Sequence, residues 1–174
     1  MDISYDGRWG YHPLLVSLAN TSEPLSIVNR SANRPSEEGA WKEADDMIPY
    51  LRGAGFRSIR LRGDTKFSQT EHLDRWDTDN VIFQFGYQEN SAVKSRAEAL
   101  PEEKWEKLER PPKYQVATSP RRRPENVKAK IVRQREYLNL ELKSEEVAEY
   151  DYQPVACGRK YRMIVVRKNI SREK

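Results

Sequence analysis

Apolar and charged positions alternate along residues 59–62, which read Ile-Arg-Leu-Arg. A repeat of two residues is typical of a β-strand, because successive side chains point to opposite faces. The segment ends at Gly63, and Asp64 follows at once. Open α/β sheets bind their ligands at the carboxyl ends of the strands. The pattern therefore predicts a strand that presents one carboxylate, Asp64, at its carboxyl end.

Two apolar runs and one helical pattern precede this strand. Residues 12–19 and 24–28 are mostly apolar, and the polar stretch between them predicts the turn of a β-hairpin. Apolar residues spaced three or four apart along 36–51 predict a helix, with Ser36 as its N-cap. Pro49 lies inside this stretch and predicts a kink or the loss of the last turn, because proline has no N–H to donate.

A second helix and a third apolar run follow Asp64. Ser68 and Glu71 have the S-x-x-E spacing of a capping box, which predicts a helix over residues 69–77. The apolar run 81–85 predicts another strand. The order strand, strand, helix, strand, helix, strand predicts an α/β fold with a mixed sheet and flanking helices.

The second half of the chain has a different pattern. Residues 91–110 are charged and favour a helix, which two adjacent prolines at 111 and 112 should end. We therefore divide the chain into a core, 1–112, and a strand-rich region, 113–174. The strand-rich region contains short charged strands at 127–135, 137–142, 146–152 and 161–166.

Composition narrows the class of protein without identifying it. The 174 residues suffice for one domain, and 31 Lys and Arg against 27 Asp and Glu leave a formal charge of only +4. The single cysteine, Cys157, excludes an internal disulfide. No apolar run approaches the roughly 20 residues of a membrane span, and the first residues lack the pattern of a signal peptide. A cytoplasmic protein is expected.

Charge is segregated along the second half. Two basic stretches, 121–135 and 159–174, flank an acidic stretch, 136–151. These charges could pair across neighbouring strands or bind phosphates, and the pattern leaves both possibilities open. The cluster formed by Arg121, Arg122 and Arg123 lies between prolines and is a candidate nucleic-acid contact.

Other kinds of site find little support. The two histidines, His12 and His72, are too far apart in sequence to form a zinc motif, and His72 is interpreted as an exposed helix residue. Cys157 is interpreted as a structural thiol. Trp41 and Trp76 fall on the apolar faces of their helices and are predicted to be core residues.

Asp64 permits two interpretations. It could be a turn residue that only caps the loop after a strand. It could also bind a metal ion, with Arg62 and Lys66 holding phosphates beside it. A two-metal site needs several carboxylates, so further ligands would have to come from elsewhere in the sheet.

Five segments resemble a known family in the same order along the chain. Residues 2–20, 27–36 and 61–67, the last reading Leu-Arg-Gly-Asp-Thr-Lys-Phe, resemble the catalytic domain of bacterial insertion-sequence transposases of the DDE superfamily. Residues 149–154 and 161–168 resemble the strand-rich insertion of such transposases. The resemblance implies an α/β fold with an incomplete ribonuclease-H-like mixed sheet, flanking helices and that insertion.

The resemblance also implies a chain truncated at both ends. Asp64 matches the second catalytic aspartate of the family. The first aspartate is expected before the segment that begins at Met1, and the glutamate is expected beyond Lys174. Asp2 and Asp6 do not lie in a matching motif, and the chain is therefore expected to lack two of three catalytic acids and to be inactive alone.

The activity implied by the resemblance is DNA cleavage and strand transfer with two Mg²⁺ ions, and Asp64 would bind metal. Arg62, Lys66 and the Arg121–Arg123 cluster would contact transposon ends and target DNA. Intact transposase chains are possible partners, in the bacterial cytoplasm or at the nucleoid. The alternatives are a non-catalytic nucleic-acid-binding remnant and an inert fragment of a decayed mobile element.

Overall fold

The computed structural model describes residues 1–111 and 139–173, and for 139–141, 172 and 173 it describes the backbone alone. The Arg121, Arg122 and Arg123 cluster and the predicted strand 127–135 lie outside the described residues. The chain divides into two compact units. The first comprises Met1–Asn90 and Gln153–Lys160, and the second comprises the described residues within Ser91–Tyr152 and Tyr161–Lys174.

Nine strands and three α-helices lie among the described residues. The strands are β1 Asp2–Ile3, β2 Trp9–Gly10, β3 Leu14–Ser17, β4 Pro24–Val28, β5 Arg60–Gly63, β6 Ile82–Phe85, β7 Glu106–Lys107, β8 Asn139–Tyr152 and β9 Tyr161–Glu173. The α-helices are α1 Ala40–Gly53, α2 Leu73–Thr78 and α3 Ser91–Glu98. Single 3-10 turns are formed by Thr65–Phe67, Thr70–His72 and Glu102–Lys104.

The fold is mixed α/β, as predicted, but its described strands form four small sheets. β1 pairs with β2, β3 pairs antiparallel with β4, β5 pairs parallel with β6, and β7, β8 and β9 form an antiparallel sheet. The single mixed sheet expected from the element order is not formed among these strands. Within the described residues, β3 pairs only with β4 and β5 pairs only with β6, so no strand joins the two pairs into one sheet.

The predicted hairpin and first helix are confirmed, with a different helix start. Leu15 lies opposite Ile27 in the β3–β4 hairpin. Helix α1 starts after Gly39, whose φ of 76° places it in the left-handed region, so the prediction of Ser36 as N-cap is wrong. The helix ends at Gly53, and the left-handed Gly55, φ 93°, follows it in the glycine-capped arrangement common at helix C-termini.

The structure departs from two local predictions, the loss of the last turn at Pro49 and the capping box at Ser68. Pro49 does not remove the last turn, and α1 continues unbroken to Gly53. The capping box is not formed, because the Ser68 hydroxyl donates backwards to the Thr65 carbonyl at 2.8 Å. The chain instead forms the 3-10 turn Thr70–His72 before α2 begins.

The core of the first unit lies where α1 meets α2 and the strands. Its buried side chains are Leu14, Ile48, Ile59, Leu73, Trp76 and Val81. Hydrogen bonds hold α1 on both sides: Ser26 donates to Glu43 at 2.6 Å, and the Trp76 indole donates to Asp45 at 2.9 Å. Trp76 is a core residue as predicted, whereas Trp41 is 39% exposed.

Cys157 joins the same unit from a segment far along the chain. Its thiol is buried and donates to the Thr70 carbonyl at 3.2 Å, and burial raises its pKa. A thiol that is kept protonated by burial is a poor nucleophile. The interpretation of Cys157 as a structural residue is confirmed.

The second unit is dominated by the long β8–β9 hairpin. The described residues of the predicted strand 137–142 and the predicted strand 146–152 form one strand, β8, with an irregularity between Leu142 and Ser144. The helix predicted over 91–110 ends at Glu98.

The segregated charges of the hairpin meet across its two strands. Arg162 contacts Glu149, and Arg167 contacts Glu146 at 2.8 Å. Of the two interpretations that the charge pattern left open, cross-strand pairing is confirmed for these residues.

Candidate functional site

Asp64 lies at the carboxyl end of β5, beside its parallel neighbour β6. The backbone leaves the strand at Asp64 and forms the 3-10 turn Thr65–Phe67. One carboxylate oxygen, Oδ1, accepts the Lys66 amide at 3.0 Å, so Asp64 caps this turn. The side chain is nevertheless exposed, and its second oxygen has no hydrogen-bond partner among the described residues. Asp64 therefore caps a turn, as the first interpretation predicts, and presents a carboxylate oxygen to solvent.

Two glycines allow the turn to pack against the strand ends. A Cβ on Gly86 would lie 2.7 Å from Thr65 Oγ1 and 2.8 Å from the Thr65 nitrogen. A Cβ on Gly63 would lie 2.7 Å from the Phe67 Cβ. Because real side chains do not approach so closely, both positions require glycine for this packing. The position of Asp64 thus depends on glycines at the ends of two different strands, Gly63 in β5 and Gly86 after β6.

Exposed basic side chains lie along β5 and its flanks. Arg62 and Lys66 are exposed next to Asp64, as are Arg57 and Arg60 towards the start of the strand. None of these four side chains is within ion-pair distance of a carboxylate in the described part of the chain. The structure therefore brings Arg62, Asp64 and Lys66 to one strand end, with the cations unneutralised and available to phosphates.

The described residues do not assemble a two-metal site. Mg²⁺ binds carboxylate oxygens, commonly one or two together with substrate phosphates. Within residues 1–111 and 139–173, no group of three His, Cys, Asp or Glu residues is placed to hold a metal ion. Asp64 supplies one carboxylate, and one of its oxygens already accepts a backbone amide. The residues present fit a single carboxylate contact to a metal ion and no more.

A large cleft beside Asp64 was not predicted. Its volume is about 1160 Å³, and its lining includes β3, the apolar face of α1, β5 and Asp64 itself. The apolar pattern of each element was visible in the sequence. The pattern did not show that the edges of β3 and β5 would face one cavity, because edge pairing is a long-range property.

His72 does not behave as predicted. Its side chain is 18% exposed and lies between two tryptophan rings, 4.9 Å from the Trp41 centroid and 5.8 Å from the Trp76 centroid. The interpretation of His72 as an exposed helix residue is therefore wrong. The 3-10 turn before α2 rotates His72 towards α1 instead of solvent.

One of three comparisons with known proteins identifies a family. A family model described as transposase DDE domain, group 1, matches residues 3–171. No curated protein and no solved structure matches the chain significantly. Transposases act on DNA, and this family generally uses a divalent metal ion.

One further property of the described helices concerns membranes. Within the described residues, none of the helices has an apolar stretch long enough to span a bilayer.

The family match extends over nearly all of the 174 residues and includes Asp64 and the strand before it. The chain belongs to the transposase DDE domain group 1 family.

Proposed function

We propose that this chain contributes the Asp64 carboxylate to DNA cleavage and strand transfer in transposition. The observation that carries the proposal is the exposed Asp64 at the carboxyl end of a parallel strand pair, in a chain of the DDE transposase family. Mg²⁺ is the proposed ion, and Asp64 is one of its ligands. The other ligands would be DNA phosphates or groups outside the described residues.

The finer features implied by the resemblance belong to the same proposal. The β3–β4 hairpin, α1 and the β5–β6 pair would form part of a ribonuclease-H-like core, with the boundary near residue 112 separating it from a strand-rich insertion. The source would be a bacterial insertion sequence, and the protein would act in the cytoplasm at the nucleoid.

The metal role of Asp64 is tested by Mn²⁺ titration followed by NMR. We expect Mn²⁺ to broaden the backbone amide signals of residues 63–67, because a paramagnetic ion at Asp64 would lie close to them. Asp64→Asn should abolish this broadening, since an amide is a weaker metal ligand. Asparagine keeps an acceptor oxygen for the Lys66 amide, so the turn should remain capped.

A matched variant separates this effect from a general loss of negative charge. Asp46 is exposed on α1 and forms an i,i+4 pair with Lys42 at 3.0 Å. Asp46→Asn should leave the broadening of residues 63–67 unchanged. The same broadening in Asp64→Asn as in the unchanged chain would exclude Asp64 as a metal ligand.

A second candidate function is nucleic-acid binding without catalysis. Arg57, Arg60, Arg62 and Lys66 are exposed and lack ion-pair partners among the described residues, which favours contacts to phosphates. An end-labelled DNA duplex with Mn²⁺ distinguishes the possibilities. Cleavage that Asp64→Asn abolishes would indicate catalysis, and salt-dependent binding without cleavage would indicate a binding module. Absence of both would indicate an inert fragment.

A further inference from the structure

A loop from late in the chain belongs to the first unit. Gln153–Lys160 lies between β8 and β9 in sequence, yet it forms one compact unit with Met1–Asn90. Within this loop, the Cys157 amide donates to the Pro154 carbonyl at 3.0 Å, and the Gln153 side chain donates to the Cys157 carbonyl at 2.9 Å. The loop is therefore closed by its own hydrogen bonds.

The loop donates two hydrogen bonds to α2 and to the 3-10 turn before it. The Cys157 thiol donates to the Thr70 carbonyl at 3.2 Å. The Gly158 amide donates to the Asp74 carboxylate at 2.6 Å. A hydrogen bond to a charged carboxylate is stronger than one between neutral groups. These two contacts hold the beginning of α2 against the loop.

A third contact extends the same attachment along α2. Arg159 forms an ion pair with Asp77. Their side chains are 52% and 44% exposed, so this pair contributes little alone. The residues that the loop contacts are four and three positions apart, the spacing of one side of a helix, and they are Thr70, Asp74 and Asp77.

Two consecutive 3-10 turns connect Asp64 with α2. The Phe67 amide donates to the Asp64 carbonyl at 3.2 Å, and the Gln69 amide donates to the Phe67 carbonyl at 2.8 Å. The Gln69 side chain donates to the Glu37 carbonyl at 3.2 Å, in the segment before α1. Irregular segments open locally unless other contacts hold them. Gln69 and Thr70 hold this connection from two sides.

We propose that the loop Gln153–Lys160 positions the Asp64 carboxylate, with Cys157 and Gly158 as its positioning residues. By holding Thr70 and the beginning of α2, the loop limits local opening of the two turns and keeps Asp64 in its capped orientation. The loop acts through the backbone of the turns. The functional meaning of this role rests on the metal binding proposed for Asp64, whereas the coupling between loop and turn is measurable without metal.

Amide hydrogen exchange of the full chain tests the coupling. The Lys66 amide reports on the cap, because it donates to Asp64 Oδ1. Cys157→Ala removes a hydrogen-bond donor and should raise the exchange rates of residues 66–68 about three- to tenfold, the factor that corresponds to one hydrogen bond. Exchange at residues 14–17, in β3, should stay unchanged. Cys157→Ser keeps a donor and should retain most of the protection.

Further variants separate positioning from general destabilisation. Asp74→Ala removes the acceptor of the Gly158 amide and should also raise exchange at residues 66–68, whereas Asp74→Asn keeps an acceptor oxygen and should not. Ser26→Ala is the matched control, because it removes one hydrogen bond of the same unit, to Glu43 at 2.6 Å. It should leave residues 66–68 unchanged. Asp74→Ala decides the question if Cys157→Ala does not fold.

Mn²⁺ binding tests the functional part. Cys157→Ala should raise the apparent Kd for Mn²⁺, measured by the broadening of residues 63–67, about two- to fivefold, because affinity falls with the fraction of molecules whose turn is closed. Ser26→Ala should not change this Kd. An unchanged Kd together with faster exchange would overturn the positioning role, since the loop would then only stabilise the turn.

Exchange also distinguishes this inference from the proposed function. Absence of Mn²⁺ binding by the unchanged chain would contradict the metal role of Asp64, while exchange at residues 66–68 would still decide whether the loop holds the turn. Unchanged exchange there in both Cys157→Ala and Asp74→Ala would overturn the inference. An equally large increase in Ser26→Ala would overturn it too, because the effect would then be a general loss of stability.

Discussion

Asp64 has a structural role that exists without any metal or DNA. Its Oδ1 accepts the Lys66 amide, which fixes the direction in which the chain leaves β5. Gly63 and Gly86 permit the close packing of the turn that follows. A carboxylate held in this way is preorganised, because its backbone is constrained by the turn and by two strand ends.

Gly86→Ala should destabilise the first unit by about 1–3 kcal/mol, since the added methyl group would overlap the backbone of Thr65. The change should be measured by urea unfolding at neutral pH. Gly53→Ala is the matched control, because a Cβ there would meet nothing within 4 Å. Gly53 is the last residue of α1, so alanine there should be neutral or stabilising by up to about 1 kcal/mol. Equal effects of the two substitutions would contradict the packing described for Gly86.

Single residues show how far the sequence predicts the candidate site. The position of Asp64 after a strand was predictable, because alternation and a following glycine are local signals. The hydrogen bond of Ser68 was not predictable. Its hydroxyl could accept from a backbone amide of the following helix or donate to the preceding turn, and it donates to the Thr65 carbonyl. Gly86 and Thr65 are 21 positions apart, and the sequence around neither residue indicates that the two are in contact.

At the scale of elements, the second unit is organised around Arg167 on β9. Its guanidinium donates two hydrogen bonds of 2.7 Å to Glu102 and one of 2.8 Å to Glu146 on β8. The same group lies 4.5 Å from the centroid of the Trp105 ring. Arg167 therefore connects the hairpin to the short segment before β7.

The contacts of Arg167 predict a pH dependence of stability. The hydrogen bond from Arg167 lowers the pKa of Glu102 below its ordinary value of 4.5. A carboxylate with a lowered folded-state pKa contributes stability above its ordinary pKa, and this contribution is lost as the pH falls through the lowered value. Arg167→Gln should therefore destabilise the chain at pH 7 and have a smaller effect at pH 3, in urea unfolding followed by circular dichroism.

A control for Arg167→Gln is available in the first unit. Arg8 is paired with Asp6 at 3.6 Å, and its side chain is 86% exposed. Arg8→Gln should leave stability unchanged at both pH values, because exposed pairs contribute little. A destabilisation by Arg167→Gln that is equally large at pH 7 and pH 3 would show that packing on Trp105, and not the ion pairs, is the contribution of Arg167.

At the scale of the whole molecule, the distribution of charge matters more than its total. The net charge of +4 is small. The described arginine side chains of β9 are paired, with Arg162 in contact with Glu149 and Arg167 in contact with two carboxylates. The exposed cations of β5 have no such partners in the described part of the chain. Phosphate binding is therefore expected at β5 in preference to the β8–β9 hairpin.

DNA binding should depend on salt in a way that identifies these cations. Each phosphate contact contributes about 0.9 to the slope of log K against log salt. Arg62→Gln should lower the slope by about 0.9, measured by fluorescence anisotropy with a labelled duplex. Arg162→Gln, which removes a paired arginine, should leave the slope unchanged. A loss of slope in Arg162→Gln alone would assign the phosphate contacts to the hairpin.

The sequence by itself determined the local elements: the β3–β4 hairpin, the helix that became α1, and a strand that ends at Gly63 and Asp64. These follow from side-chain period and backbone preference, which operate over a few residues. The tertiary structure alone decided which strand edges pair, that β3 and β5 line one cleft, and that the Cys157 thiol donates a hydrogen bond to the Thr70 carbonyl. Such features depend on contacts between residues far apart in the chain, and local periodicity carries no information about them.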